Sequence, residues 1–262
     1  MRQEPDHSRE PTMTTPSPRR RTLAWIGAVL LAAACGVPVV DEGGSGEGSG
    51  GSPNPTETQS LEGAFRYETM DDYVNAVLPM IREWHEGTWP DLPEPRRVTY
   101  VPNGASGPEG CQDREGNQAS YSSESYEYCG GDQMIYVGQD LLWALYDRAG
   151  DAGPAVGLAH EWAHHIQSVV GVTAPQSAEA SIQLENQADC IAGAWVLFTK
   201  DKGYLELPDD IEDIEQLFPL IASAESADRD HGTLQEREES FNLGYTKGLP
   251  ACDRFFPDTP VS

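Results

Sequence analysis

Residues 160–164 read His-Glu-Trp-Ala-His, and no other stretch restricts the fold as tightly. Side chains at i and i+4 lie on one face of an α-helix, so these histidines can act together if the segment is helical. Val156, Ala159, Ala163, Ile166 and Val170 form an apolar stripe along the same segment, so the helix must also pack into a core. It should open at Asp151-Ala152-Gly153-Pro154, where Pro suits a first turn, and stop at Gly171. Glu185 and Asp189 stand one helical turn apart, and Glu185 follows His164 by 21 residues. A second helix over about 177–200, returning across 171–175, brings Glu185 beside both histidines.

That hairpin has a chemistry. Two His and one Glu, with a fourth position open to water, form a catalytic zinc set, so His160, His164 and Glu185 are the expected ligands of one Zn2+ ion. Glu161 lies about 100° around the helix from His160, placed to reach a water without ligating. It is the expected catalytic general base. Asp189 suits the second layer, accepting the spare N–H of a liganding His and fixing its tautomer. His165 points about 100° away from His164 and is expected to lie in a second layer or pack rather than ligate.

The rest of the chain reads as α+β and mostly helical, with a small, short-stranded sheet and one main domain. Helical spacing covers 68–85, with Gly87 as a stop, and 141–148. A further helix covers about 209–224, and another follows His231-Gly232 and ends near Gly244. Arg97 to Val101 and Gln133 to Val137 read as strands, and the segment between Cys111 and Cys129 as a polar loop.

Charge narrows the partners. The chain holds 17 Lys+Arg against 43 Asp+Glu, a formal net of -26, which argues against nucleic acid because phosphate binding needs clustered cations. Arg19-Arg20-Arg21 precede an uncharged apolar run from Leu23 to Ala34, and Cys35 follows at once. This is the pattern of a secretory signal, and the Cys after three Ala resembles a bacterial lipobox, where the Cys is lipidated. Residues 1–35 are therefore expected to be a signal peptide with the lipidation site Cys35. Residues 36–60 are a Gly/Ser-rich flexible linker and 61–262 the zinc domain. The expected location is extracytoplasmic, tethered to the cell membrane through the N-terminal lipid. Export favours disulfides. Of the three pairings that Cys111, Cys129, Cys190 and Cys252 allow, the reading favours Cys111–Cys129, closing the polar loop, and Cys190–Cys252, tying a helix to the C-terminal tail.

His160 to Gln167 and Leu184 to Gly193 together resemble the two motifs of the bacterial neutral zinc metallopeptidase family. Tyr128-Cys129 with Asp132, Ile135 and Tyr136 is similar to the family's segment before the metal helix. His231-Gly232-Thr233 with Gln235, Arg237, Phe241, Gly244-Tyr245 and Cys252 is similar to its C-terminal block. Two places depart from the family's usual pattern: Cys129-Gly130 for Cys-Pro, and Trp162-Ala163 for Val-Gly. The resemblance covers about 61–256. It implies a zincin-like fold, zinc on His160, His164 and Glu185, and a peptide or protein substrate. Zinc would polarise the scissile carbonyl and acidify a water to a pKa of about 7. Within the C-terminal block His231 is a candidate hydrogen-bond donor to a developing oxyanion. By analogy with zincins, the strand near 135–137 is expected to be the edge on which an extended substrate pairs. The alternative is a catalytically inactive, zinc-stabilised surface binding or assembly lipoprotein. Glu161 argues against it, since a structural zinc has no use for a general base and usually closes all four positions with protein ligands.

Overall fold

The protein is described by a computed structural model covering residues 70–101, 111–112, 118–119, 122–224, 226 and 229–262. The signal peptide, Cys35 and the 36–60 linker lie outside the described residues. None of the described helices is long and apolar enough to cross a membrane.

Helix α1 spans Met70–Thr88 and buries Tyr73, Val77, Met80, Ile81 and Trp84 at helical spacing, running one residue past the expected Gly87 stop. Strand β1 is Arg97–Val101. A two-residue pair, β2 (Cys111–Gln112) with β3 (Gln118–Ala119), interrupts the segment read as a loop. Strand β4, Tyr126–Cys129, follows, then β5, Met134–Gly138. The main sheet has the order β1-β5-β4, with β1 parallel and β4 antiparallel to β5.

This order corrects the expectation that 135–137 is an edge. β5 is central, paired on both sides, and its buried Ile135 and Val137 face the main core. The edges are β1 and β4, and β4 reads in sequence as loop. Its four residues carry one charge and two tyrosines, too short and mixed a run to register as alternation.

Helix α2, Gln139–Ala149, leads into α3, Ala152–Val170. α3 ends at Gly171, whose φ of 91° is left-handed; Gly171 N–H donates to Ser168 O and Val172 N–H to Gln167 O. Ser177 then caps α4, Ala178–Lys202, by accepting from Ala180 N–H. Helix α5 is Asp209–Ile221 and α6 is Leu234–Lys247, the latter opened by a Thr233/Glu236 capping box. A short 3₁₀ helix, Leu249–Arg254, follows α6. Trp162 on α3 and Trp195 on α4 are among the largest fully buried side chains.

Gly244 does not end α6, which continues to Lys247. Its role is contact. A Cβ there would sit 1.8 Å from Cys190 O, and one at Gly193 would sit 2.1 Å from Phe241 O. The two glycines therefore let the backbones of α4 and α6 touch. The Cys190–Cys252 disulfide ties α4 to the 3₁₀ turn beside that contact. Cys129 is also disulfide-bonded. The side chain of its expected partner, Cys111, lies outside the described residues.

Candidate metal centre

The α3–α4 hairpin brings three donor atoms together. His160 Nε2 and His164 Nε2 are 3.1 Å apart, His160 Nε2 is 3.2 Å from Glu185 Oε2, and His164 Nε2 is 3.4 Å from Glu185 Oε1. Bonds of about 2.0–2.1 Å to a tetrahedral metal require donors about 3.3 Å apart, so this set fits zinc. His160 and Glu185 are buried and His164 nearly so, with the two rings perpendicular at 89°.

Each imidazole is oriented from behind. His160 Nδ1–H donates to Asp189 Oδ1 at 2.9 Å, and His164 Nδ1–H donates to Gln167 Oε1 at 2.8 Å. Both acceptors require a proton on Nδ1, which leaves both Nε2 lone pairs aimed at the same point. Gln167 is fixed in turn, since its Nε2 donates to Leu184 O and to Gln187 Oε1. No role was expected for Gln167. The available signal was its place three residues after His164, on the same helix face.

Arg237 was also without an assigned role. It is 4% exposed and forks onto Asp189, with Nε to Oδ2 and one Nη to Oδ1, both 2.9 Å. Its other Nη donates to Ile221 O at 3.1 Å. Burial opposes the Asp189 charge, but Arg237 and His160 hold the carboxyl below its usual range. Glu185 is likewise opposed by burial and held well below the usual range by His164 and His160. Burial also opposes protonation of His160, yet the Asp189 and Glu185 carboxylates push it up to about 10. A site this negative is matched to a cation competing for the Nε2 lone pair.

Glu161 stands outside the donor set. It is 8% exposed, and its Oε2 accepts from the backbone N–H of Tyr128 on β4 at 2.7 Å. The edge strand thus holds the carboxylate that follows the first histidine. His165 is buried and packs, as expected: its Nε2–H donates to Pro93 O and its Nδ1 accepts from Tyr128 O–H. Burial holds its pKa below the ordinary value.

His231 comes from the segment before α6. Its Nε2 is 3.6 Å from Glu185 Oε2, its Nδ1 is 2.9 Å from Asp230 Oδ1, and its side chain is 37% exposed, so a ligand can reach it. Burial opposes its charge while Asp230 and Glu185 raise its pKa. Gly232 permits this approach, because a Cβ there would meet Asn186 Oδ1 and Arg237 Cγ at 2.9 Å. Arg229 secures the segment by donating to His231 O and to Glu236 Oε1.

A family model described as "Putative neutral zinc metallopeptidase" matches residues 23–255. Relatives include the uncharacterized protein Rv2575 of Mycobacterium tuberculosis (strain ATCC 25618 / H37Rv). It is 30% identical over 160 residues, which cover 49% of this chain and 54% of the relative. The uncharacterized protein YpfJ of Escherichia coli (strain K12) is 29% identical over 167 residues, covering 54% of this chain and 58% of the relative. The matches thus span little more than half the length of these relatives. No solved structure matches the chain. With the family model spanning both helices of the hairpin and the segments that support them, the chain belongs to the neutral zinc metallopeptidase family.

Proposed function

We propose that the protein is a zinc-dependent peptidase held outside the cytoplasm by a lipid on Cys35. The observation that carries the catalytic reading is the convergence of His160 Nε2, His164 Nε2 and Glu185 at 3.1–3.4 Å, with Glu161 beside them and not ligating. His160, His164 and Glu185 would hold the zinc, which when bound polarises a carbonyl and acidifies water. Asp189 and Gln167 keep both imidazoles in the tautomer that ligation needs. Glu161 takes a proton from the attacking water and passes it to the leaving nitrogen as the peptide C–N bond breaks. The Tyr128 N–H holds one of its oxygens, so the other accepts that proton. His231 donates a hydrogen bond to the oxygen that gains charge. An extended substrate adds to the edge strand β4, which leads to Glu161.

The test is zinc analysis of the purified chain together with cleavage of a peptide library. The expected result is one equivalent of zinc and chelator-sensitive hydrolysis. Glu161→Gln should keep the zinc and lose more than about two orders of magnitude in rate. A parent that binds no zinc, or equal rates in parent and variant, overturns the reading. Anchoring is checked separately by mass spectrometry of the membrane fraction, where the mature chain should begin at a diacylglyceryl Cys35. A soluble mature chain that begins elsewhere removes the anchor.

A further inference from the structure

Strand β4 presents alternate residues in two ways. Ser125 O and Cys129 O accept from Gly138 N–H and Gln133 N–H, so the odd-numbered residues bond toward β5. The backbone groups of Tyr126 and Tyr128 therefore face the outer edge, where Tyr128 N–H meets Glu161. The side chains alternate between the faces of the sheet. The Tyr126 ring lies against Gly157, 3.1 Å from where a Cβ would stand, and the Tyr128 ring packs on His165 at 5.3 Å. Both tyrosines thus face α3, and Glu127 between them faces the opposite side, across from Tyr136.

Glu127 is half-buried, and among the described residues no hydrogen bond or ion pair reaches its carboxyl. Tyr136, its cross-strand neighbour, directs its hydroxyl to Asp132 Oδ2 at 2.6 Å instead. Burial, then Glu161, push Glu127 up to about 7, while His231 works the other way.

We propose that Glu127 is the counter-charge of a substrate subsite for a basic side chain, so that the favoured substrates are peptides carrying Lys or Arg at the residue paired with β4. This rests on the peptidase reading above. A strand added along the outer edge of β4 places one side chain on the Glu127 face, with Cβ atoms about 4.5–5.5 Å apart, and opposite charges are favoured at such a pair. A half-buried carboxyl that no described residue bonds gains more from an arriving cation than an exposed one does. The Glu161 carboxylate, which acts on Glu127, adds to the same negative potential, and the chain as a whole carries a formal charge of -26. A free α-amino group offers the same ammonium chemistry from a different source, and blocking it separates the two.

The experiment measures kcat/KM of the zinc-loaded full chain on N-acetylated peptides with Lys, Arg, norleucine or Glu at each position. The parent should prefer Lys and Arg over norleucine by about tenfold or more at one position, as a charge-assisted hydrogen bond supplies. Glu127→Gln should collapse that ratio, and Glu127→Lys should turn it toward Glu, with thermal unfolding confirming that both variants fold. A parent without basic preference, or a Glu127→Gln variant that keeps it, overturns the subsite while leaving the peptidase reading intact. A preference seen only with unacetylated peptides overturns the side-chain assignment. If the parent cleaves no peptide, the peptidase reading fails, and fluorescence anisotropy decides the subsite. Lysine peptides must bind the Glu161→Gln protein more tightly than norleucine peptides, and lose that advantage in Glu127→Gln/Glu161→Gln. Equal binding overturns the subsite.

Discussion

Asp189→Ala should cause two losses that can be measured apart. Asp189 accepts from His160 and from two nitrogens of Arg237, and it is 3% exposed. Among the described residues, removing it leaves Arg237, itself 4% exposed, with only its hydrogen bond to Ile221 O. Two hydrogen bonds to a charged group are worth about 3–6 kcal/mol, in line with the roughly 3–5 kcal/mol cost of breaking a buried pair from one side. The loss of His160 orientation should weaken zinc about 10–100-fold, equivalent to about 1.4–2.8 kcal/mol. Urea unfolding in chelator reads the first loss, and competitive chelator titration reads the second. Arg237→Met should lose comparable stability but keep more of the zinc affinity, because the Asp189–His160 bond survives. Asp189→Ala/Arg237→Met should be clearly more stable than the sum of the single losses implies, since it leaves neither partner of the pair behind. A double variant whose loss equals that sum would show that the two residues do not act as a pair, and the reasoning would fail.

Glu185→Ala should abolish tight zinc binding, because one of three protein donors is gone; a full equivalent retained at parental affinity removes the third-ligand assignment. Gly244→Ala should lower the unfolding midpoint sharply, since its Cβ would lie 1.8 Å from Cys190 O and the α4 and α6 backbones must part. An unchanged midpoint removes the contact argument. Burial, then Asp210 and Asp213, push Asp151 up to about 7, so the folded protein holds that proton more tightly than the unfolded chain does. Stability from this group is therefore present at low pH and falls as pH rises from the ordinary aspartate range to about 7. Asp151→Asn should accordingly be more stable than the parent at pH 8 and no more stable at pH 4, and equal gains at both pH values contradict the assignment. Reduction of Cys190–Cys252 should lower the midpoint of the chelated protein, read by calorimetry with and without dithiothreitol.

The sequence by itself determined what depends on local period. Histidines four apart on an apolar-striped segment specify a packed helix and its metal-facing side. Gly171 and Ser177 specify where that helix stops and the next starts, because left-handed backbone and side-chain capping are short-range effects. The hairpin length then left Glu185 and Asp189 facing the histidines, and the pairing of Cys190 with Cys252 was one of the three that four cysteines allow. Tertiary structure alone decided the rest. Arg237 reaches Asp189 from 48 residues away, and only the close glycine contact of α4 with α6 makes that distance short. Gly244 looks like a helix stop in one dimension and is a contact point in three. β4 reads as loop because four residues with one charge and two tyrosines are too short and mixed a run to show alternation, so neither the edge, nor its N–H on Glu161, nor the face that Glu127 occupies can be seen before β5 is in place.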